Sequence, residues 1–186
     1  TYLGLAEDVK AGDTLLLDDG LIELAVERVD APLIHCRVAI GGMLSDRKGI
    51  NRLGGGLSVG ALSEKDRADI ELAASMGADF VAVSFAASAA DMNEARALLR
   101  AAGSRAALVA KIERAEAIEN LAEIVDASDA VLVARGDLGV EIGFAELPGL
   151  QKKIIREALS RNRAVITATQ MLQSMVDNPI PTRAEV

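Results

Sequence analysis

Ionisable side chains follow two short apolar segments of this chain. The first segment, Ala107-Leu-Val-Ala, leads to Lys111 and Glu113, and the second, Val131-Leu-Val-Ala, leads to Asp137. Short, continuously apolar segments are typical of parallel strands that are buried on both faces. The functional side chains of such sheets gather at the carboxyl ends of the strands. The pattern therefore predicts a chemical site at one rim of a parallel sheet.

Lys111, Glu113 and Asp137 have the chemistry of a site for a metal ion and an anion. Residues two apart on a strand share a face, so Lys111 and Glu113 are predicted to point the same way. Carboxylates at the ends of adjacent strands, here Glu113 and Asp137, suit Mg2+ or Mn2+ when substrate and water supply the other oxygens. Alternatively, both acids only solvate the starts of loops. Lys111 needs an anionic partner, which is either a substrate group or, in a non-catalytic ion pair, Glu113.

Backbone amides and one hydroxyl are further candidates for binding an anion. The amides around Gly136 and Asp137 would bind one if a helical turn begins there. Thr169 ends a later apolar segment on the face that it shares with Thr167, which brings its hydroxyl to the same rim. Threonine is also a common strand residue, so a purely structural role is the alternative.

The order of the predicted elements explains how these residues meet. Apolar segments alternate with amphipathic ones, and we predict strands at 78–85, 107–113, 131–137 and 164–170 with helices from Ser63, from Ser88, over 115–125 and over 147–159. Ser63 with Asp66 resembles a capping box, and Ser88 is predicted to cap the next helix. Strands separated by crossovers predict a parallel arrangement, either a (β/α)8 barrel or an open doubly wound sheet.

Residues 1–53 have a different pattern and are predicted to form a small β-rich unit. Asp18-Asp19-Gly20 separates two apolar segments, which indicates a β-hairpin, and residues 33–40 supply a further strand. The glycines at 54–56 mark the predicted boundary with residues 54–186. We interpret them as a linker; a phosphate cradle is the alternative, although no Gly-Lys-Ser/Thr sequence follows.

Composition excludes several classes of function. The net charge of −8 and an aromatic content of 2% argue against a nucleic-acid partner, whereas a small phosphorylated substrate is compatible with local cations and a metal. No apolar segment reaches the roughly 20 residues that span a bilayer, and no signal-peptide pattern is present, so we predict a cytoplasmic protein without a membrane partner. The single histidine and the single cysteine, His35 and Cys36, are predicted to be structural.

Several segments resemble the signature motifs of the pyruvate kinase family, in order and with the family's spacing. The segments are Lys48-Gly-Ile-Asn51, 62–66, 82–85, Lys111-Ile-Glu113-Arg, 133–141, 166–172 and 178–185. The resemblance covers essentially the whole chain and is closest to bacterial members. It implies a partial (β/α)8 TIM barrel of about four parallel strands with helices in residues 54–186. Residues 1–53 would then be part of the small β-rich lid domain that precedes it.

The resemblance also implies a reaction, the transfer of a phosphoryl group from phosphoenolpyruvate to ADP, giving pyruvate and ATP. Glu113 and Asp137 would hold Mg2+ or Mn2+. Lys111 would stabilise the transferring phosphoryl group and the enolate. The amides of Gly136 and Asp137, together with Thr169, would bind the substrate carboxylate. Positioning and charge neutralisation carry most of the catalysis in reactions of this type.

Other expectations follow from the same resemblance. Lys48 matches a position that reaches the nucleotide phosphates, and Asp18 or Asp19 would face the cleft. The family also implies a homo-oligomer, a homotetramer in intact members, and a K+ ion whose ligands lie outside this chain. Because the resemblance starts inside the lid and stops before the last barrel strand, we predict little or no activity for the chain alone. The alternatives are a non-catalytic scaffold fragment and another Mg2+-dependent barrel enzyme, such as a carbon-carbon lyase.

Overall fold

The computed structural model of this protein describes residues 2, 4–46, 48–58, 60–169 and 171–185. Over these residues the chain has a mixed α/β fold with one antiparallel and one parallel sheet, each of four strands. The predicted α/β class is confirmed. Gln170, which belongs to the motif at 166–172, lies outside the described residues. Within the described part of the chain, no helix is long and apolar enough to cross a membrane.

The antiparallel sheet follows a short helix, α1 (Leu5–Asp8). Its strands, in the spatial order β3-β2-β1-β4, are β1 (Thr14–Leu17), β2 (Ile22–Asp30), β3 (Leu33–Ile40) and β4 (Ile50–Arg52). The predicted hairpin is confirmed, because β1 pairs with β2 around a turn at Asp18, Asp19 and Gly20. All three turn residues have positive φ, with values of 52°, 55° and 85°. Asp and Gly tolerate this left-handed conformation better than most residues.

His35 and Cys36 lie on β3. Cys36 is partly buried and packs against the small core of the antiparallel sheet. Burial is the largest cause of the raised pKa of its thiol, which keeps the sulfur protonated. The exposed His35 imidazole lies 3.3 Å from the Asp30 carboxylate. These surroundings fit the structural interpretation of both residues.

The parallel sheet has its strands in sequence order. They are β5 (Phe80–Val83), β6 (Ala107–Ile112), β7 (Ala130–Ala134) and β8 (Ala164–Ala168). Each strand pairs in parallel with the next, as predicted. The helices that precede and connect the strands are α2 (Glu64–Ser75), α3 (Ala89–Ala101), α4 (Ala115–Glu119), α5 (Leu121–Ala127), α6 (Arg135–Ile142) and α7 (Leu147–Ser160), and a 3-10 turn (Gln173–Val176) follows β8.

The predicted helix starts at Ser63 and Ser88 are confirmed. The Asp66 carboxylate accepts the backbone N–H of Ser63 at 2.8 Å, and the Asp91 carboxylate accepts that of Ser88 at 2.8 Å. The Ser63 hydroxyl oxygen in turn accepts the Asp66 amide at 3.2 Å. Reciprocal bonds of this kind satisfy amides that have no partner within the first helical turn. The same sequence pattern thus fixes the starts of both helices.

The predicted elements differ from the structure most at the helix over 115–125 and at the strand over 131–137. The helix predicted over 115–125 is divided at Asn120 into α4 and α5, although backbone hydrogen bonds from Asn120 to Glu116 and from Ile124 to Asn120 continue across the division. The strand predicted to end at Asp137 stops at Ala134, and α6 starts at the next residue. Asp137 therefore lies in the first turn of a helix, not on a strand.

The glycines at 54–56 connect the two sheets with an unusual backbone. Gly54, Gly55 and Gly56 have φ values of 87°, 76° and 87°, which side-chain-bearing residues rarely adopt. Their amides are all engaged: Gly54 donates to the Glu141 carbonyl, Gly55 to the Arg52 carbonyl, and Gly56 to a carboxylate oxygen of Glu116. Amides committed in this way do not form a phosphate cradle. The linker interpretation is the one that these contacts favour.

The main hydrophobic core packs the helices on the parallel sheet. It includes side chains from α3, β6, α5 and β7 that are fully buried, among them Met92, Leu108, Ile124 and Val131. The outer strands are less protected, because β5 and β8 each pair with one strand only among the described residues. Phe80 on β5 is 66% exposed and Ile166 on β8 is 45% exposed. The sheet therefore has two edges at which it can be extended.

The central position of β6 gives a first prediction. Leu108→Ala removes a side chain that is 0% exposed, so we expect it to lower the free energy of unfolding by about 2–5 kcal/mol through lost burial and a cavity. Leu159→Ala is the control, because Leu159 is 60% exposed on α7 and its truncation should change stability by less than about 0.5 kcal/mol. Urea unfolding followed by circular dichroism measures both; equal effects would contradict the assigned core.

Candidate active site

Lys111 and Glu113 form an ion pair at the carboxyl end of β6. The Lys111 Nζ atom lies 2.6 Å from Glu113 Oε1, as expected for residues that share a face. Lys111 Nζ also donates a hydrogen bond of 2.9 Å to the Ser84 hydroxyl, which follows the neighbouring strand β5. The lysine side chain is 28% exposed, so its ammonium is accessible from outside the core. The ion pair with Glu113, one of the two predicted partners of Lys111, is thus present.

The Glu113 carboxylate is almost completely buried, at 1% exposure. Its second oxygen, Oε2, accepts the backbone N–H of Phe85 at 2.7 Å. Phe85 has a φ of 55°, a conformation that is unfavourable for a bulky residue. Strained backbone of this kind persists where surrounding contacts require it, often at functional sites. The turn after β5 is therefore shaped so that one amide reaches Glu113.

Asp137 lies in the first turn of α6, the helix that follows β7, and β7 pairs with β6. The first turn of a helix leaves amides without intrahelical partners, and a negative side chain there is stabilised by the helix dipole. The Asp137 carboxylate makes no hydrogen bond or ion pair with any other residue that the structure describes. The amides around Gly136 and Asp137 were predicted to bind an anion only if a helical turn begins there. The structure has such a turn, at the start of α6.

Thr169 contacts the same helix start. A Cβ atom added to Gly136 would lie 3.0 Å from Thr169 Cγ2, so the absence of a side chain at 136 allows this close approach. Thr169 follows the last residue of β8 and has a φ of 77°, so it does not continue the extended strand as predicted. The Arg135 guanidinium holds this turn by donating to the Ala168 carbonyl at 3.2 Å and to the Thr169 carbonyl.

A cavity of about 250 Å3 opens where the two sheets meet. Asp19 of the hairpin turn, Asn51 of β4, Phe85, Arg114, Asp137 and Glu141 are among its lining residues. The expectation that Asp18 or Asp19 faces the cleft agrees with the position of Asp19. Lys111 and Glu113 are not among the residues described as lining this cavity. The cavity thus joins the hairpin turn to the start of α6.

Glu141 on α6 is a second buried carboxylate, at 4% exposure. It accepts the Ala115 amide at 2.9 Å and the Asn51 side-chain amide at 3.4 Å, which links α4 and β4 to α6. Its backbone carbonyl accepts the Gly54 amide at 2.8 Å. Burial is the main cause that raises the pKa of Glu141 above its ordinary value. One residue therefore connects the antiparallel sheet, the glycine linker and the helix that carries Asp137.

Lys48 lies between β3 and β4. Its ammonium is 2.7 Å from the Asp18 carboxylate, and this hydrogen bond is the main cause that raises the pKa of Lys48. Lys48 is not among the described residues that line the cavity, although Gly49 is. The structure thus places the predicted nucleotide-binding lysine next to the hairpin turn, with Asp18 as its present anionic partner.

The donor set fits a hard divalent cation that takes most of its ligands from substrate and water. Glu113 follows β6, and Asp137 lies in the helix that follows the adjacent strand β7. Both residues offer only carboxylate oxygens. The oxygens of Glu113 each have one partner, and a carboxylate oxygen can accept a second one. No group of three or more His, Cys, Asp or Glu residues among those described is arranged to hold a metal by itself. The two acids therefore need a bound ligand to complete coordination.

The sequence interpretation gave no role to Ser84, Phe85 or Glu141, although each belongs to a quoted motif. Ser84 and Phe85 follow β5, whose last residue, Val83, pairs with Ala110 directly before Lys111, so the parallel register was the available signal. Glu141 lies four residues after Asp137, on the same side of a helix. This spacing points to Glu141 only if residues 135–142 are recognised as a helix.

The fold and these residues define a class of protein, an α/β protein with an anion- and metal-binding candidate site at the carboxyl ends of parallel strands. The sequence matches the family described as pyruvate kinase, barrel domain, over residues 1–186. This chain belongs to the pyruvate kinase family.

Individual relatives agree with the family match. Pyruvate kinase of Haemophilus influenzae and pyruvate kinase II of Salmonella typhimurium are each 57% identical over 188 residues, which cover 100% of this chain and 39% of each relative. Pyruvate kinase of Mycobacterium tuberculosis is 48% identical over 185 residues, with the same coverage. The chain thus spans about two fifths of the length of these curated relatives.

The buried Glu141 carboxyl gives a pH-dependent prediction. Because its folded-state pKa is raised, its contribution to stability should fall as pH rises from the ordinary value of 4.5 through the raised value. Glu141→Gln removes this titration, and the Gln side-chain oxygen can still accept the Ala115 amide. We expect the variant to gain stability relative to the parent chain as pH rises over this range. The measurement is urea unfolding at a series of pH values.

Glu71→Gln serves as the matched control, because Glu71 is exposed on α2. Its stability should follow that of the parent chain at each pH. The assignment to Glu141 is wrong if the Glu141→Gln and parent curves remain parallel across the range.

Proposed function

We propose that this chain is part of a catalytic pyruvate kinase unit that transfers a phosphoryl group from phosphoenolpyruvate to ADP. The observation that carries the proposal is the Lys111–Glu113 ion pair at the end of β6, with Asp137 at the helix start that follows the neighbouring strand β7. In this proposal residues 1–53 are part of the lid domain and residues 54–186 are part of the (β/α)8 barrel. The open edges of β5 and β8 support a sheet that continues into further barrel strands.

Glu113 and Asp137 are proposed to hold Mg2+ or Mn2+. When bound, the ion would neutralise charge on the substrate and on the phosphoryl group. Asp137 is suited to this role because its carboxylate has no partner among the described residues. Glu113 is suited because two fixed donors orient its carboxylate: the Lys111 ammonium and the Phe85 amide.

Lys111 is proposed to stabilise the transferring phosphoryl group and the enolate that it leaves. An ammonium has three N–H donors. Glu113 and Ser84 accept two of them, which fixes the direction of the side chain and leaves one donor for a substrate oxygen. A cation that is positioned before the reaction stabilises developing negative charge without reorganisation.

The start of α6 is proposed to bind the substrate carboxylate. The amides of Gly136 and Asp137 lie in the first helical turn, where no intrahelical carbonyl accepts them. Thr169 approaches Gly136 closely, and its hydroxyl oxygen lies 3.7 Å from the position that a Cβ atom on Gly136 would take. Together they would hold the carboxylate end of the substrate while Lys111 faces its phosphoryl end.

The remaining parts of the proposal come from the family. Lys48 would exchange its Asp18 partner for nucleotide phosphates. The K+ requirement, the homotetramer and a cytoplasmic location are proposed on the same basis. The family match favours this reaction over the carbon-carbon lyase alternative.

Metal binding tests the site directly. We expect the 186-residue chain to bind Mn2+, and Asp137→Asn to weaken that binding by at least about tenfold because a carboxylate ligand is lost. Glu113→Gln should weaken it similarly. Glu71→Gln, which removes an exposed charge on α2, should leave it unchanged. Electron paramagnetic resonance of free Mn2+ gives the affinities, and circular dichroism verifies folding. Equal affinity in all four proteins would support the non-catalytic scaffold alternative.

An activity assay tests how much of the enzyme this chain represents. We expect little or no turnover with phosphoenolpyruvate, ADP, Mg2+ and K+, because these 186 residues correspond to 39% of the length of the Haemophilus influenzae relative. A coupled assay of pyruvate formation measures the rate. Turnover near that of an intact relative, assayed in parallel, would overturn this expectation.

A further inference from the structure

A basic pocket lies at the other end of β6 from the candidate active site. It has a volume of about 420 Å3, and Arg96, Arg100, Ser104 and Arg105 are among its lining residues. They belong to the last part of α3 and to the loop before β6, whereas Glu113 follows the last residue of β6. At a rise of roughly 3.3 Å per residue, the strand separates the two ends by about 20 Å. The pocket is therefore distinct from the site proposed above.

The three arginines of this pocket differ in their partners. Arg96 is held in place, because it donates to the Asp129 carboxylate at 3.0 Å and to the Ala127 carbonyl at 2.7 Å. Arg100 and Arg105 are exposed and make no side-chain hydrogen bond or ion pair within the described part of the chain. The chain has 28 acidic and 20 basic residues, so carboxylate partners are abundant elsewhere. Two neighbouring guanidinium groups are therefore available to an external anion.

The helix dipole explains only part of this arrangement. Arg100 lies in the last turn of α3, where a positive side chain is favourable without any ligand. Arg105 lies beyond the helix and gains nothing comparable. The Ser104 hydroxyl oxygen accepts the Ala106 amide at 3.1 Å, which leaves its own proton available to an acceptor in the pocket. These donors come from two elements and converge on one cavity.

We propose that this pocket binds a phosphate group, as inorganic phosphate or as a small phosphate monoester. Guanidinium groups match the oxygens of phosphate in charge and in fork geometry. The tetrahedral oxygens of one phosphate can engage donors from the helix and from the loop together, which the two coplanar oxygens of a carboxylate do less well. The volume of about 420 Å3 also leaves space for the organic part of an ester.

Isothermal titration calorimetry of the 186-residue chain tests this proposal, with inorganic phosphate and glycerol 3-phosphate as probes at matched ionic strength. We expect saturable binding, weakened by at least about tenfold in Arg100→Gln/Arg105→Gln because two charge-assisted contacts are lost. Arg105→Lys should give an intermediate affinity, since it keeps the charge and loses the fork. Lys152→Gln/Arg156→Gln removes two positive charges from exposed positions of α7 and should bind as the parent chain does.

The outcomes distinguish the sources of the ligand and the alternatives. Tighter binding of glycerol 3-phosphate identifies a monoester site, and equal binding identifies a site for the phosphate group alone. The proposal is overturned if neither probe binds saturably, or if the α7 control loses as much affinity as the pocket variant. Mn2+ affinity measured on the same variants should not change, so failure here is separable from failure of the proposed active site.

Discussion

The burial of the Glu113 carboxylate constrains the whole carboxyl end of the parallel sheet. A carboxylate that is 1% exposed is costly unless charge and hydrogen bonds compensate it. Compensation comes from Lys111 on the same strand and from the Phe85 amide after the neighbouring strand. The register of β5 on β6, the left-handed turn at Phe85 and the direction of Lys111 therefore depend on one another. Removing the carboxylate would take away the acceptor that Lys111 and the Phe85 amide share.

Glu141 applies the same physical rule at the junction of the two sheets. Its buried carboxylate needs donors, and the donors come from Asn51 in one sheet and Ala115 beside the other. Because Glu141 and Asp137 are both on α6, the position of Asp137 depends on this junction as well as on the parallel sheet. A movement of the antiparallel sheet would act on the site through Asn51 and Gly54, without direct contact with Lys111.

The sequence predicted most elements because local patterns agree with the final packing. The helix starts at Ser63 and Ser88 and the turn at Asp18 depend on nearby residues only, and these predictions were correct. The end of β7 was predicted three residues too late and α6 was not predicted as a helix, because Ala134 offers no side-chain cap that would mark the helix start. The left-handed φ of Thr169 was also missed; Thr169 packs closely against Gly136 of α6, which is distant in the sequence. Errors thus fall where long-range contacts override local preference.

The two ends of β6 differ in charge because the strand itself carries no charge before Lys111. Its residues from Leu108 to Ala110 are buried, so ionisable groups are displaced to one end or the other. At the carboxyl end Lys111 is paired with the buried Glu113. The pair fixes the direction of the lysine side chain and has no net charge. At the amino end Arg100 and Arg105 have no such partner among the residues that the structure describes. A paired cation is suited to the precise orientation of a reacting group, whereas unpaired cations are suited to the attraction of an anion. The same core strand therefore supports two different kinds of anion recognition, one at each end.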